Sequence, residues 1–185
     1  MIERLPQAVK AAKIFAATND LRYYLNGVAL YIVDSGVIES VVATDGHCMA
    51  IIGNETLPRV TPAIVANKDV DTLVNALSVN PYAIVDGFTL IVGEYRIPLV
   101  DGRFPDVQRV IPKKERNAGA VIGIQPNYLA KLKPFKAELC RHLKAKERNF
   151  VGVRMCCGDA NEAVRFDFTG GRTDNAMVII NPMRL

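Results

Sequence analysis

The chain has 185 residues, half of them hydrophobic and 23% charged, with 23 Lys and Arg against 19 Asp and Glu. That composition builds an ordinary buried core and excludes disordered, collagen-like and mucin-like chains. No uncharged stretch approaches the roughly 20 apolar residues of a bilayer crossing, and Glu3, Arg4 and Lys10 fall where an export signal needs its apolar run, so a cytoplasmic protein is expected.

The pattern of elements recurs at a spacing of about sixty residues, which divides the chain into three similar units. In the first, Met1 to Leu5 reads as extended and Gln7 to Thr18 as a helix, with Lys10 and Lys13 sharing one face and Val9, Ala12 and Ala16 another. Three strand runs follow, Arg22 to Val33, Val37 to Thr44 and His47 to Ile52, separated by turns at Asp34-Ser35-Gly36 and Asp45-Gly46. In the second unit Thr61 to Ala66 is extended, and Asn67 is placed to cap a helix running from Lys68 to about Ser78. Asn80-Pro81 breaks that pattern ahead of strands at Tyr82 to Val85, Phe88 to Val92 and Tyr95 to Val100.

The third unit opens at Ala120 to Ile124 and continues through a basic helical stretch from about Pro126 to Leu143, in which Pro134 predicts a kink or a broken start. Strands are expected near Phe150 to Cys156, Glu162 to Thr169 and Ala176 to Asn181. Val164, Phe166 and Phe168 alternate with Arg165 and Asp167, which predicts one buried face and one wet face. Each unit thus reads β-α-β-β-β. The polar run from Pro112 to Asn117 marks the best boundary, giving a domain of two units over residues 1–117 and a half domain over 118–185.

Chemistry-bearing constellations are sparse. Cys48, Cys140, Cys156 and Cys157 show no C-x-x-C spacing, so no metal site is expected. His47 and His142 lie far apart, and nothing in the spacing assembles an acid, a base and a nucleophile. Charge is concentrated instead: between Lys131 and Arg148 seven basic residues face two Glu, while the rest of the chain is close to neutral. A solvated helix surface and a nucleic-acid footprint explain that patch equally well.

Three segments are more specific: Arg22-Tyr23-Tyr24-Leu25-Asn26-Gly27 with Val42-Ala43-Thr44-Asp45-Gly46-His47; Leu99 to Asp106 (LVDGRFPD) with Arg109-Val110-Ile111-Pro112; and Asn181-Pro182-Met183-Arg184-Leu185 at the end. In this order they resemble the bacterial DNA polymerase III beta subunit, the sliding clamp. Residues 1 to about 112 are similar to that family's middle domain, and those from about 118 onward to the second half of its last domain.

The resemblance implies an α+β clamp fold of three β-α-β-β-β repeats, with helices lining a pore and antiparallel sheets outside. It implies a non-catalytic processivity factor without a cofactor, which encircles duplex DNA irrespective of sequence and tethers a DNA polymerase, with a clamp loader as a further partner. Lys10, Lys13, Lys131, Lys133 and Lys136 are the candidate DNA-facing residues, whereas the second helix offers Lys68 beside Asp69 and Asp71. The family's partner-peptide cleft maps onto Leu25, Thr44, Gly46, His47, Met49, Pro105 and Val110. It would be closed by Ile179, Ile180, Pro182 and Met183, with Arg22, Arg109 and Arg184 at its edge.

Taken alone, Asp45-Gly46 reads first as a plain hairpin turn, His47 as a strand-end residue and the tail as a final edge strand; the three motifs in register reverse that preference. Family rings hold twelve such units, so four copies of this chain would complete one, the third unit seeking a partner in another copy through its free sheet edge. The competing function is an adaptor or decoy that binds the same partner peptides without encircling DNA.

Overall fold

The computed structural model describes residues 2–112, 122–157, 162–170 and 173–183. Helix α1 spans Leu5–Lys13, with Pro6 in its first turn, where no intrahelical donor is lost, and Leu5, Ala8, Val9, Ala11 and Ala12 buried. It stops short of Thr18. Residues 14–16 continue as tight turns whose amides bond three residues back, among them Phe15 N–H to the Ala12 carbonyl, which drops Phe15 into the core. Residues 2–4, expected to be extended, form no strand.

A 3-10 turn at Tyr23–Leu25 leads into β1 (Gly27–Ile32), β2 (Ile38–Thr44) and β3 (Cys48–Gly53). The second unit supplies β4 (Ala63–Ala66), α2 (Val70–Val79) and the short strands β5 (Ile84–Asp86), β6 (Thr89–Val92) and β7 (Tyr95–Pro98). Asn67 does not cap α2. Its Nδ2 donates to the Ala17 carbonyl at 2.8 Å and its backbone N–H to the Asn26 carbonyl, so it ties the second unit to the first.

In the third unit the basic stretch breaks into α3 (Pro126–Ala130), α4 (Leu132–Leu139) and α5 (Ala145–Asn149). The first break, at Lys131, follows from Pro134: its ring has no N–H for the Ala130 carbonyl and crowds it, so the chain turns there and restarts. Strands β8 (Gly152–Cys156), β9 (Val164–Thr169) and β10 (Met177–Ile180) complete the described elements. Of the opening strand expected at Ala120 to Ile124, residues 120 and 121 lie outside the described residues, as do 113–117 of the boundary run; Gly123 bridges Met183.

The strands form an antiparallel sheet of seven, ordered β4-β1-β2-β3-β10-β9-β8, and one of three, β5-β6-β7. The units therefore interlock. Strand β4 completes the first unit's sheet rather than its own, and β10 pairs with β3. The third unit, expected to lack a partner within the chain, docks on the first, with α1 packed between α2 and α4 in one helical layer.

That layer covers one sheet face through Val28, Leu30, Ala50, Phe166 and Ile180 among others. Phe135 sits at its centre, edge-on to Phe15 at 5.4 Å and to Phe168 at 5.0 Å between centroids. Truncating so buried a ring to alanine costs about 3–5 kcal/mol.

The opposite sheet face is roofed by residues 99–112 through Phe104 and Val107, which pack on Leu25, Met49 and Ile179. This roof overturns one expectation. Arg165 and Asp167 do alternate with the core residues of β9, but their face is covered too, leaving Arg165 1% and Asp167 8% exposed. The Arg165 guanidinium donates to Asp167 at 2.6 Å and to Glu55 at 2.5 Å, and Arg154 reaches Asp167 at 3.1 Å. Among the described residues, two stretches of apolar surface stay open at sheet edges: Phe150, Val153 and Met155 beside β8, and Ile84, Val85 and Phe88 on the smaller sheet.

Candidate functional site

The turn between β2 and β3 is held by its own side chains. Thr44 Oγ1 donates to the Cys48 carbonyl at 2.8 Å and accepts from Gly46 N–H at 3.0 Å, while Asp45 Oδ1 accepts from the N–H groups of His47 and Cys48, both at 2.9 Å. Gly46 has φ +89°, and a β-carbon there would meet Arg22 Nη1 at 2.8 Å. Glycine is needed both for that backbone and to let the guanidinium lie across it. Arg22 is itself fixed by Asp20, through Nε at 3.0 Å and Nη2 at 2.8 Å, and that pairing holds the Asp20 carboxyl down at about 2.

The third unit approaches the same turn. Lys131 Nζ lies 2.9 Å from Asp45 Oδ2 and 5.4 Å from the Phe15 ring centroid, and His47 stacks on Tyr128 at 6.1 Å. Asn181 N–H donates to the His47 carbonyl at 2.9 Å. Burial works against both charges of the ion pair. Even so, the hydrogen bonds from Lys131, Cys48 and His47 hold Asp45 below the usual carboxylate range, and Asp45 in turn holds the Lys131 ammonium above its ordinary value. Cys48, buried beside Asp45, has its thiol pushed up to about 12 and is inert as a nucleophile.

Between this turn, the roof and β10 lies a pocket of about 260 Å³. Nine of the fourteen residues expected in the cleft line it: Arg22, Leu25, Thr44, Gly46, His47 and Met49 from the first unit, Pro105 and Val110 from the roof, and Ile179 from β10. Apolar walls with a few rim polar groups suit an inserted apolar side chain.

Five expected residues do not line it. Ile180 is a correction: it is fully buried on the helical side of the sheet, because adjacent strand residues face opposite ways and Ile179 takes the pocket side. Arg109 pairs with Asp106 at 2.8 Å and lines a neighbouring trough. Pro182 and Met183 lie beyond the pocket, Met183 being 47% exposed, and Arg184 lies outside the described residues. Tyr24, Cys48, Asp106, Val107 and Asn181 line the pocket without having been expected. All five sit inside or beside the quoted motifs, so adjacency was the available signal.

Of the lysines expected to face DNA, Lys10 and Lys13 lie on α1, and Lys133 and Lys136 on α4, each off the buried face of its helix. Lys131 departs from that set: it points into the joint between units and is spent on Asp45.

No family model matches the chain. It is 38% identical over 124 residues to the beta sliding clamp of Escherichia coli K12, covering 59% of this chain and 33% of that protein. With the beta sliding clamp of Salmonella typhimurium LT2 it shares 37% identity over 169 residues, 82% of this chain and 42% of the relative. The chain thus matches between a third and less than half of these relatives' length. The fold superposes on a crystal structure of the Pseudomonas aeruginosa DNA polymerase sliding clamp with a TM-score of 0.70, at 21% identity, covering 98% of this chain and 64% of the other. The Caulobacter crescentus pol III beta structure gives 0.67 at 17% identity, over the same shares.

The chain is a relative of the bacterial beta sliding clamps. Its helical layer and antiparallel sheets are the α+β architecture of the clamp fold. The pocket lies where the first and third units of the clamp relative meet.

Proposed function

We propose that this chain is a DNA sliding clamp subunit: a non-catalytic processivity factor that holds a DNA polymerase through the pocket between its first and third units. The observation that carries the reading is that pocket, into which residues from four separated segments converge and present apolar walls with Arg22 and His47 at the rim. The helical layer offers the complementary function. Lys10, Lys13, Lys133 and Lys136 stand on one side of the sheet, where they meet phosphates and no base edges, as a sliding contact requires.

Encirclement takes more than one copy of the three units described. The open strand edges at β8 and on the smaller sheet are where further copies would join. Repeat arithmetic gives a ring of four, so light scattering reads about 81 kDa for four chains of 20.3 kDa. A clamp stays on nicked circular DNA and is lost when the circle is cut. Equal retention on circular and linear DNA would instead favour an adaptor that binds clamp partners without closing around the duplex.

A further inference from the structure

Beside the pocket runs a second cavity of about 840 Å³, contiguous with it through Tyr24, Pro105 and Asp106. Its walls include buried Leu57 and Phe104, and its mouth carries three exposed arginines, Arg59, Arg103 and Arg109. The one carboxylate among the lining residues, Asp106, is paired with Arg109 at 2.8 Å. Arg59 and Arg103 pair with no carboxylate among the described residues. Tyr31, on the inner side, adds no negative charge, since burial, helped by Asp106, pushes its phenol up to about 12. Two uncompensated guanidiniums over an apolar trough form a receptor for carboxylates.

We propose that the trough takes an acidic segment of the partner peptide, contiguous with the apolar anchor that fills the pocket; this rests on the pocket being a peptide site. The shared wall argues for a single chain running through both cavities. The trough also opens on the roofed face of the sheet, whereas the basic helices cover the opposite face, so duplex DNA bound along the helical layer does not reach it. Arg59 and Arg103 add orientation and attraction that the anchor lacks, and thereby select among partners with similar apolar residues.

The test uses fluorescence anisotropy with three peptides: a short anchor of large apolar residues, the same anchor with four added Glu, and the same anchor with four added Ser, each extension placed at either end in turn. Glu at one end is expected to tighten binding about 3- to 10-fold over Ser at low salt, with the gain fading as salt rises. The double variant Arg59→Glu, Arg103→Glu should abolish that gain and leave anchor binding unchanged, with an unaltered circular dichroism spectrum. No gain at either end, a gain that survives the double variant, or displacement of the Glu extension by short duplex DNA overturns the inference. An anchor that fails to bind overturns the pocket reading and this inference with it; a bound anchor without an arginine-dependent gain overturns this inference alone.

Discussion

Replacing Arg165 with methionine removes a charge and keeps a similar unbranched stem, so it isolates what the buried guanidinium contributes. The side chain is 2% exposed and holds two carboxylates, Asp167 at 2.6 Å and Glu55 at 2.5 Å. Removing one partner of a buried pair costs about 3–5 kcal/mol when the stranded charge has nowhere to turn.

Here the two carboxylates differ. Glu55 has a side chain 37% exposed and rehydrates. Asp167 is 12% exposed and keeps Arg154, itself 58% exposed and screened by water, and a weak contact from the Cys156 thiol at 3.9 Å. One stranded carboxylate with a weakened partner leaves an expected loss of about 2–3 kcal/mol. Urea denaturation at pH 7 reads it as a shift in midpoint at constant slope. Adding Asp167→Asn removes the stranded charge and should restore about 1 kcal/mol or more, a non-additivity that a simple loss of packing would not produce. A single variant within about 0.5 kcal/mol of the parent, or a double variant whose losses add, would refute the account.

Gly46→Ala places a β-carbon on a backbone at φ +89° and against Arg22 Nη1, so a loss of about 1–2 kcal/mol is expected, together with weaker anchor-peptide binding as the guanidinium is displaced. Unchanged peptide affinity would separate Arg22 from the pocket's function. Asp45→Asn tests the ion pair with Lys131 through pH. Because the folded carboxyl titrates below its ordinary 3.8, its contribution is fully present above that value and fades as pH falls through the lower, folded value. Asp45→Asn should therefore be less stable than the parent by about 1–2 kcal/mol at pH 7, and the gap should close below about pH 3.8. A gap that stays constant down to pH 2 would place the effect in the turn's neutral hydrogen bonds.

How much of this was legible in the residues depended on whether a feature was local. The runs expected around the two Asp-Gly turns, Val37 to Thr44, His47 to Ile52 and Phe88 to Val92, fell within a residue of β2, β3 and β6, because β-branched and aromatic alternation bounded by such turns is a short-range signal. By contrast, residues 2–4 of the expected opening segment formed no strand, and the run expected from Arg22 began as a 3-10 turn, leaving β1 to start at Gly27. The break before Pro134 was local in the same way. What period two reports, however, is sidedness, and sidedness was mistaken for exposure at Arg165 and Asp167, whose face is roofed by residues more than fifty positions away. Ile180 failed for the converse reason: its neighbour Ile179 already claimed the pocket side of β10, and strand alternation alone was enough to exclude it.

Lys131 shows where charge counting stops. It belongs to the densest basic run of the chain, yet the turn forced by Pro134 swings it toward Asp45, 86 residues away in sequence. The same lysine therefore cements the joint that builds the pocket instead of adding to the proposed DNA-facing surface. The basic patch and the proposed partner pocket thus meet at one residue. If the pocket depends on that joint, Lys131→Met should weaken peptide binding more than it weakens DNA retention, and Lys133→Met should do the reverse.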